Sequence, residues 1–372
     1  YIPVDVAYAL APCAAQLVVE GDDVARDSLA HARIQDLNRA RTACARATTS
    51  SDAAECARAY EQYLLLIAEA CAAMRTKDTG GAGVSLRWTS TSEDGTVKTY
   101  DVACGLFGER AMALAAYAGA LRRVARDGLL VPVSEAATST AATEAAMVLR
   151  RAAGAYSHLA DKVLPPLKSS LDVERANELT GSFANVMRLM SLGDAQGAAC
   201  RRAREKWDGA TGARAHWTLA MKLHVSAMGF YRDADVQLNS NGRDWNGICL
   251  ELLAAVVVGR QTHEAEAWLA RARVAQCEEK FGDAVAASDK AFRALQECKQ
   301  ASSELEVWSL YYAELDSRAK KMIAETRRDN ECVYFQKVVP SDVELPTTGV
   351  VLAKEIPYEA SHDTVKHSFL LS

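Results

Sequence analysis

The sequence predicts a mainly α-helical fold, an elongated array of helices carrying one small β-hairpin in its N-terminal third. Three observations carry this expectation. At 372 residues the chain exceeds the roughly 250–300 that one compact core usually serves, whereas a helical array lengthens without enlarging its core. The eight prolines stand at 3, 12, 132, 165, 166, 340, 346 and 357, so residues 167–339 contain none. That stretch is rich in Ala, Leu, Glu, Arg and Lys and reads as several helices joined by short Gly/Asn turns. Between Gly80 and Gly108, by contrast, the apolar pattern changes to period two.

Residues 24–46 and 53–75 read as a helical pair separated by Thr48-Thr49-Ser50-Ser51-Asp52. Val84, Leu86 and Trp88 then alternate with polar residues, Glu93-Asp94-Gly95 turns the chain, and Val97-Lys98-Thr99-Tyr100 returns. This places a hairpin at about 84–103. Helices resume at Glu109-Arg110-Ala111, continue to Arg126, and run again from about Ser139 to Leu164. Asn239-Ser240-Asn241-Gly242 marks the clearest internal loop. Trp268, Ala272 and Ala275, then Lys280-Phe281-Gly282, then Ala284, Ala287 and Ala291 follow the helix-Gly-helix spacing of a tetratricopeptide unit. Val285, Phe292 and Leu295 form one apolar stripe, and Leu305, Trp308, Tyr312, Leu315 and Met322 form another. Ser303 with Glu306 fits a capping box opening the last helix.

Composition narrows the function classes. A net charge of −5 argues against nucleic acid as a bulk partner. Ten cysteines, at 13, 44, 56, 71, 104, 200, 249, 277, 298 and 332, include no Cys-x-x-Cys pair, so neither a zinc knuckle nor a redox pair is supported. They are expected to be buried, reduced thiols. The longest apolar run, 111–121, is far short of the roughly 20 residues a spanning helix requires. Tyr1-Ile2-Pro3 opens no signal-peptide pattern.

Catalysis has no evident carrier. Gly-x-Ser-x-Gly, the Walker loop and Gly-x-Gly-x-x-Gly are all missing. His263-Glu264-Ala265-Glu266-Ala267 begins like a zincin helix, but Ala267 stands at the second ligand position, and the histidines at 31, 158, 216, 224, 362 and 367 form no ligand spacing. The expectation is therefore a non-enzyme with no metal, no cofactor and no small-molecule substrate.

The most informative stretch is Arg327-Arg328-Asp329-Asn330-Glu331-Cys332-Val333-Tyr334-Phe335-Gln336-Lys337-Val338-Val339-Pro340. A helix that stops at Asp-Asn and continues as apolar extended chain must dock that chain on its own surface. This resembles the closing segment of the Bro-one domain, the helical module of ALIX-like endosomal sorting proteins. Other segments resemble the family in the same order: the strand 84–90, Gly105-Leu106-Phe107-Gly108-Glu109-Arg110-Ala111, Ala152-Ala153-Gly154-Ala155-Tyr156, Leu189-Met190-Ser191-Leu192-Gly193-Asp194-Ala195-Gln196 and Glu279-Lys280-Phe281-Gly282. The likeness reads as one domain over 1–358, with a docking tail at 329–358. Residues 359–372 read as a further tail or the start of another region.

The resemblance implies a boomerang-shaped solenoid with a tetratricopeptide-like core. It implies a cytoplasmic scaffold, recruited to endosomes and multivesicular bodies, that binds the C-terminal amphipathic helix of ESCRT-III subunits of the charged multivesicular body protein type. Membrane association would be indirect. The positions matching the family's groove are Ala199, Arg202, Gly212 and His216, faced by Thr143 and Met147. Where the family carries an aromatic, a basic and two aliphatic residues, only the basic one is kept; a shifted alignment would bring in Trp217, and Trp207 stands nearby. A pH-signalling scaffold of the Rim/Pal type and a helical-repeat scaffold that has shed ESCRT-III are the alternatives. Tyr334 is either a phosphorylation or docking site or an aromatic anchor for the tail.

Overall fold

A computed structural model of the chain describes residues 11–12, 28–75, 86–91, 95–102, 104–130, 135–172, 174–207, 214–240, 247–303 and 306–359. Among them, nine long helices follow one another, and each packs chiefly on its predecessor and its successor. They are α1 (Ser28–Thr48), α2 (Ala53–Arg75), α3 (Gly105–Leu130), α4 (Glu135–His158), α5 (Gly181–Trp207), α6 (Arg214–Ser240), α7 (Leu250–Cys277), α8 (Phe281–Ser303) and α9 (Glu306–Asp329). Such nearest-neighbour packing is the signature of a solenoid.

Local chemistry sets the helix ends. Asp52 caps α2, its Oδ1 accepting from the Ala54 and Glu55 amides at 2.8 and 3.0 Å. Helix α3 starts earlier than Glu109 because Cys104 and Gly105 take positive φ (69° and 53°) and turn the chain out of the sheet. Helix α4 gives way after His158 to a π-helical turn, Leu159–Val163, and Pro165-Pro166 then opens a 3-10 turn.

The hairpin forms as β2 (Leu86–Thr91) and β3 (Val97–Val102), antiparallel with Trp88 opposite Tyr100. A two-residue strand β1, Ala11–Pro12, adds to the free edge of β2, so the sheet has three strands rather than two. Leu86, Trp88, Tyr100 and Val102 turn into the core. One carboxylate ties this sheet to the helices. Buried Glu109 on α3 accepts from Arg41 Nε of α1 (2.8 Å), Tyr63 of α2 (2.7 Å) and Trp88 Nε1 of β2 (2.6 Å). A second buried hub links α3, α5 and α6: Asp194 meets Arg122 at 2.8 Å and accepts from the Tyr231 hydroxyl, while Gly193 and Gly259 admit the Tyr231 ring.

Helices α7 and α8 realise the tetratricopeptide-like unit. Ala272, Ala275, Ala284, Ala287 and Ala291 are all buried, and Trp268 is buried as expected. Val285, Leu295, Leu315 and Met322 are buried, while Phe292 and Tyr312 are half-buried. The side chains of Ser303 and Trp308, with residues 84, 93–94 and 305, lie outside the described residues. The cysteines depart from expectation in part. All described ones are free thiols and six are buried, but Cys277 and Cys332 are exposed and Cys104 is half-buried.

Candidate functional site: the strap face

The chain beyond α9 turns back and crosses the helical array as an extended strap. Asn330 closes the turn, its side-chain amide donating to the Gln336 carbonyl and its Oδ1 accepting from the Gln336 amide, both at 2.9 Å. Phe335 adopts a left-handed conformation (φ 52°) at this point. The Tyr334 ring stacks on Phe281 of α8, with centroids 3.4 Å apart, while remaining 46% exposed. It therefore anchors the start of the strap and still presents an edge to solvent.

From there the strap touches α8, α6, α5 and α4 in turn. Lys290 Nζ donates to the Val343 carbonyl at 2.6 Å, and the Val350 amide donates to the Lys222 carbonyl at 3.0 Å. The Gln196 side chain of α5 donates to the Val350 carbonyl (2.8 Å) and accepts from the amides of Leu352 (2.9 Å) and Ala353 (3.1 Å). Glu355 meets Ser157 of α4 and Arg188 of α5, each at 3.3 Å. The Ile356 amide donates to the Arg150 carbonyl at 3.0 Å. Glycines make the crossings possible: a Cβ on Gly154 would strike the Ile356 carbonyl, one on Gly282 the Lys337 carbonyl, and one on Gly349 the Ser226 hydroxyl.

These contacts define which face of each helix carries the strap. On α4, Arg150, Gly154 and Ser157 continue at helical spacing back to Met147 and Thr143. On α5, Gln196 continues to Ala199; on α6, Lys222 continues back to Leu219. The shared grip on Glu355 and the bond from Gln196 Nε2 to the Leu223 carbonyl (3.3 Å) set the registers of these antiparallel helices. At 1.5 Å per residue, those registers bring Met147, Ala199 and Leu219 to about one level, with Thr143 and Arg202 about one turn beyond. Met147 (39% exposed) and Leu219 (38%) are exposed apolar side chains there, and Val351 and Leu352 of the strap are exposed as well. Thr143 and Arg202 are exposed and Ala199 is half-buried. Sequence reasoning missed Leu219; the signal available for it was its helical spacing to Lys222 and Ser226, which has no meaning until the strap is placed. Gly212 lies outside the described residues, as does the Trp207 side chain.

His216 goes elsewhere. It lines a cavity of about 420 Å3 among α5, α6, α7 and α9, together with Trp217, Arg204, His224 and Glu266. Glu266 is buried and held by Arg318 in a two-pronged pair at 2.7 and 3.0 Å, with Arg204 at 3.5 Å. Burial alone would raise its pKa, but the Arg318 guanidinium outweighs burial, with Arg204 among the smaller contributions, and the carboxyl is held well below the usual range. His224 and His263, which look scattered in the sequence, meet here with their Nδ1 atoms 3.0 Å apart. Burial pushes His224 down to about 4, so the pair is neutral near pH 7. Among the described residues no group of three or more His, Cys, Asp or Glu side chains could hold a metal ion.

The model of the BRO1-like domain matches residues 18–370. The chain belongs to the BRO1-like domain family. No curated protein matches it in sequence. Solved structures match the fold. One described as an ALIX BRO1 CHMP4C complex superposes with a TM-score of 0.69 at 16% identity, covering 94% of each chain. ALIX in complex with the SIVmac239 PYKEVTEDL late domain gives 0.69 at 15%, covering 95% of this chain and 48% of that one. A structure described as a basis for endosomal targeting by the Bro1 domain gives 0.64 at 13%, covering 91% and 87%. The likeness to an ALIX-like domain drawn from the sequence is thereby established, and with it the helical solenoid. No described helix of this BRO1-like domain is long and apolar enough to cross a membrane.

Proposed function

We propose that this BRO1-like domain is a non-catalytic adaptor that binds the C-terminal amphipathic helix of an ESCRT-III subunit on its strap face. The supporting observation is the row of Met147, Ala199 and Leu219 beside exposed Arg202. Two exposed apolar anchors next to a cation suit an amphipathic helix with apolar residues at i, i+3 and i+4 and an acidic flank. That a similar domain, ALIX BRO1, has been captured with CHMP4C makes an ESCRT-III subunit the first partner to test. Such binding would bring the protein to endosomal membranes through its partner.

Ala199 leaves the groove with one large apolar group fewer than the family pattern carries, at about 1.5–3 kcal/mol for a fully buried side chain. Leu219 and the strap residues Val351 and Leu352 offset part of that loss. Micromolar affinity is the expected range.

Titration calorimetry against the C-terminal helices of ESCRT-III subunits from the same organism tests this reading. Micromolar binding that weakens at least tenfold in Arg202→Glu supports it. An absence of binding to every subunit would instead favour the diverged helical-repeat scaffold, for which Ala199 is the specific observation.

A further inference from the structure

A cavity of about 480 Å3 opens between α2, α3, α4 and the end of the strap. Small residues leave the space: Ala125 and Gly128 of α3 and Ala141 and Ala145 of α4 all line it. A Cβ on Gly128 would meet nothing within 4 Å. Leu65, Val124 and Val148 add apolar wall, and the volume lies within the range of sites that bury a small ligand.

Charge and aromatic geometry together select the occupant. Among the described lining residues, the carboxylates of Glu61, Glu144 and Glu359 stand against the single guanidinium of Arg151. Arg151 is already engaged, donating to the Tyr117 hydroxyl at 2.9 Å and pairing with Glu61 at 3.4 Å. The lining thus keeps an excess of negative charge, and Glu144 and Glu359 are its exposed carboxylates. The rings of Tyr117 and Tyr358 lie 6.1 Å apart and are tilted by 60°, so α3 and the strap form an aromatic corner of the wall. Aromatic faces and carboxylates attract an organic cation over a neutral or anionic group of the same shape. The apolar wall requires that this cation carry an apolar body.

We propose that this cavity is a binding site for a small organic amine, its apolar body against Ala125, Ala145 and Val148 and its ammonium among the tyrosine rings and the carboxylates. Because Ile356, Pro357 and Tyr358 line the cavity, the bound amine fastens the end of the strap to α4, where the Ile356 amide meets the Arg150 carbonyl at 3.0 Å. The site does not rest on the ESCRT-III reading.

Three probes that share a phenyl group test it: cationic phenethylammonium, neutral 2-phenylethanol and anionic phenylacetate. Each is titrated into the full chain at pH 7 and followed by the methyl NMR signals of Met147 and Val148, which line the cavity. Phenethylammonium is expected to shift both methyls saturably, with a Kd of about 5 mM or tighter. The alcohol should bind at least about fivefold more weakly, and phenylacetate should shift neither methyl. Hydrogen exchange at the Ile356 amide should slow with the amine. Glu144→Lys changes an exposed side chain and so spares the fold; it should weaken the amine at least about tenfold and leave the alcohol unchanged. Gly128→Phe, which fills open space, should exclude both. Equal affinity for amine and alcohol would overturn the proposal, as would saturable shifts that persist in both variants or no shift with any probe.

Discussion

Gln196 stands in for a β-strand edge toward Leu352. Its Oε1 accepts from the Leu352 amide at 2.9 Å while its Nε2 donates to the Val350 carbonyl at 2.8 Å, so one side chain satisfies both polar directions of an extended chain. In Gln196→Ala three strap hydrogen bonds go at once, and a destabilisation of about 1–3 kcal/mol is expected. Hydrogen exchange at 350–353 should rise more than exchange in α7. Uniform acceleration along the chain would show that the strap is not held locally.

Gly154 provides a steric test of the same contact. Any side chain there meets the Ile356 carbonyl, so Gly154→Ala should lower Tm even though Ala is the better helix former. Gly128→Ala is the control, because a Cβ there meets nothing within 4 Å and should stabilise α3 by up to about 1 kcal/mol. A neutral Gly154→Ala would mean that the strap does not lie against α4.

Glu109 joins four elements through one buried carboxylate. Removing it leaves Arg41 buried without its partner, so Glu109→Ala should cost about 3–5 kcal/mol in urea denaturation. Glu109→Gln, which keeps the shape, should cost less. Equal losses would place the effect in packing rather than in charge.

Glu178 predicts a pH dependence. It is 1% exposed and accepts from the Ser90 hydroxyl at 2.8 and 2.9 Å, and burial raises its pKa from 4.5 to about 7. Between those values the folded state holds a proton that the unfolded state has released. Its contribution to stability is thus full below about pH 4.5 and is lost as pH rises through 7, an effect of at most about 3 kcal/mol. Tm measured from pH 5 to 8 should fall less steeply in Glu178→Gln. An unchanged profile would show that Glu178 is ionised in the folded protein throughout this range.

Much of the fold was legible in the sequence because its signals are local. Missing prolines, period-two alternation at Trp88 and small residues around Gly282 each report on one element. The end of α9 at Asp329 was legible too, although a π-helical turn, Asn330–Tyr334, carries the chain on to Phe335 before the strap begins. What stayed hidden was non-local. Nothing near Glu109 signals Arg41, and nothing near His224 signals His263. Leu219 was obscured by the stretch at 208–213, where the sequence gives no helical phase to carry α5 into α6. The expectations for Gly212 and His216 cross that gap, and the structure sets His216 in the cavity with Glu266.

The most direct test of the account compares two substitutions on α6 in calorimetric titrations with one ESCRT-III C-terminal helix. Leu219→Asp is expected to weaken binding at least tenfold, because it puts a charge on the strap face, whereas His216→Asp stays within about twofold of the wild type. Wild-type affinity in Leu219→Asp together with loss in His216→Asp would contradict it and move the docking surface to the Glu266 cavity.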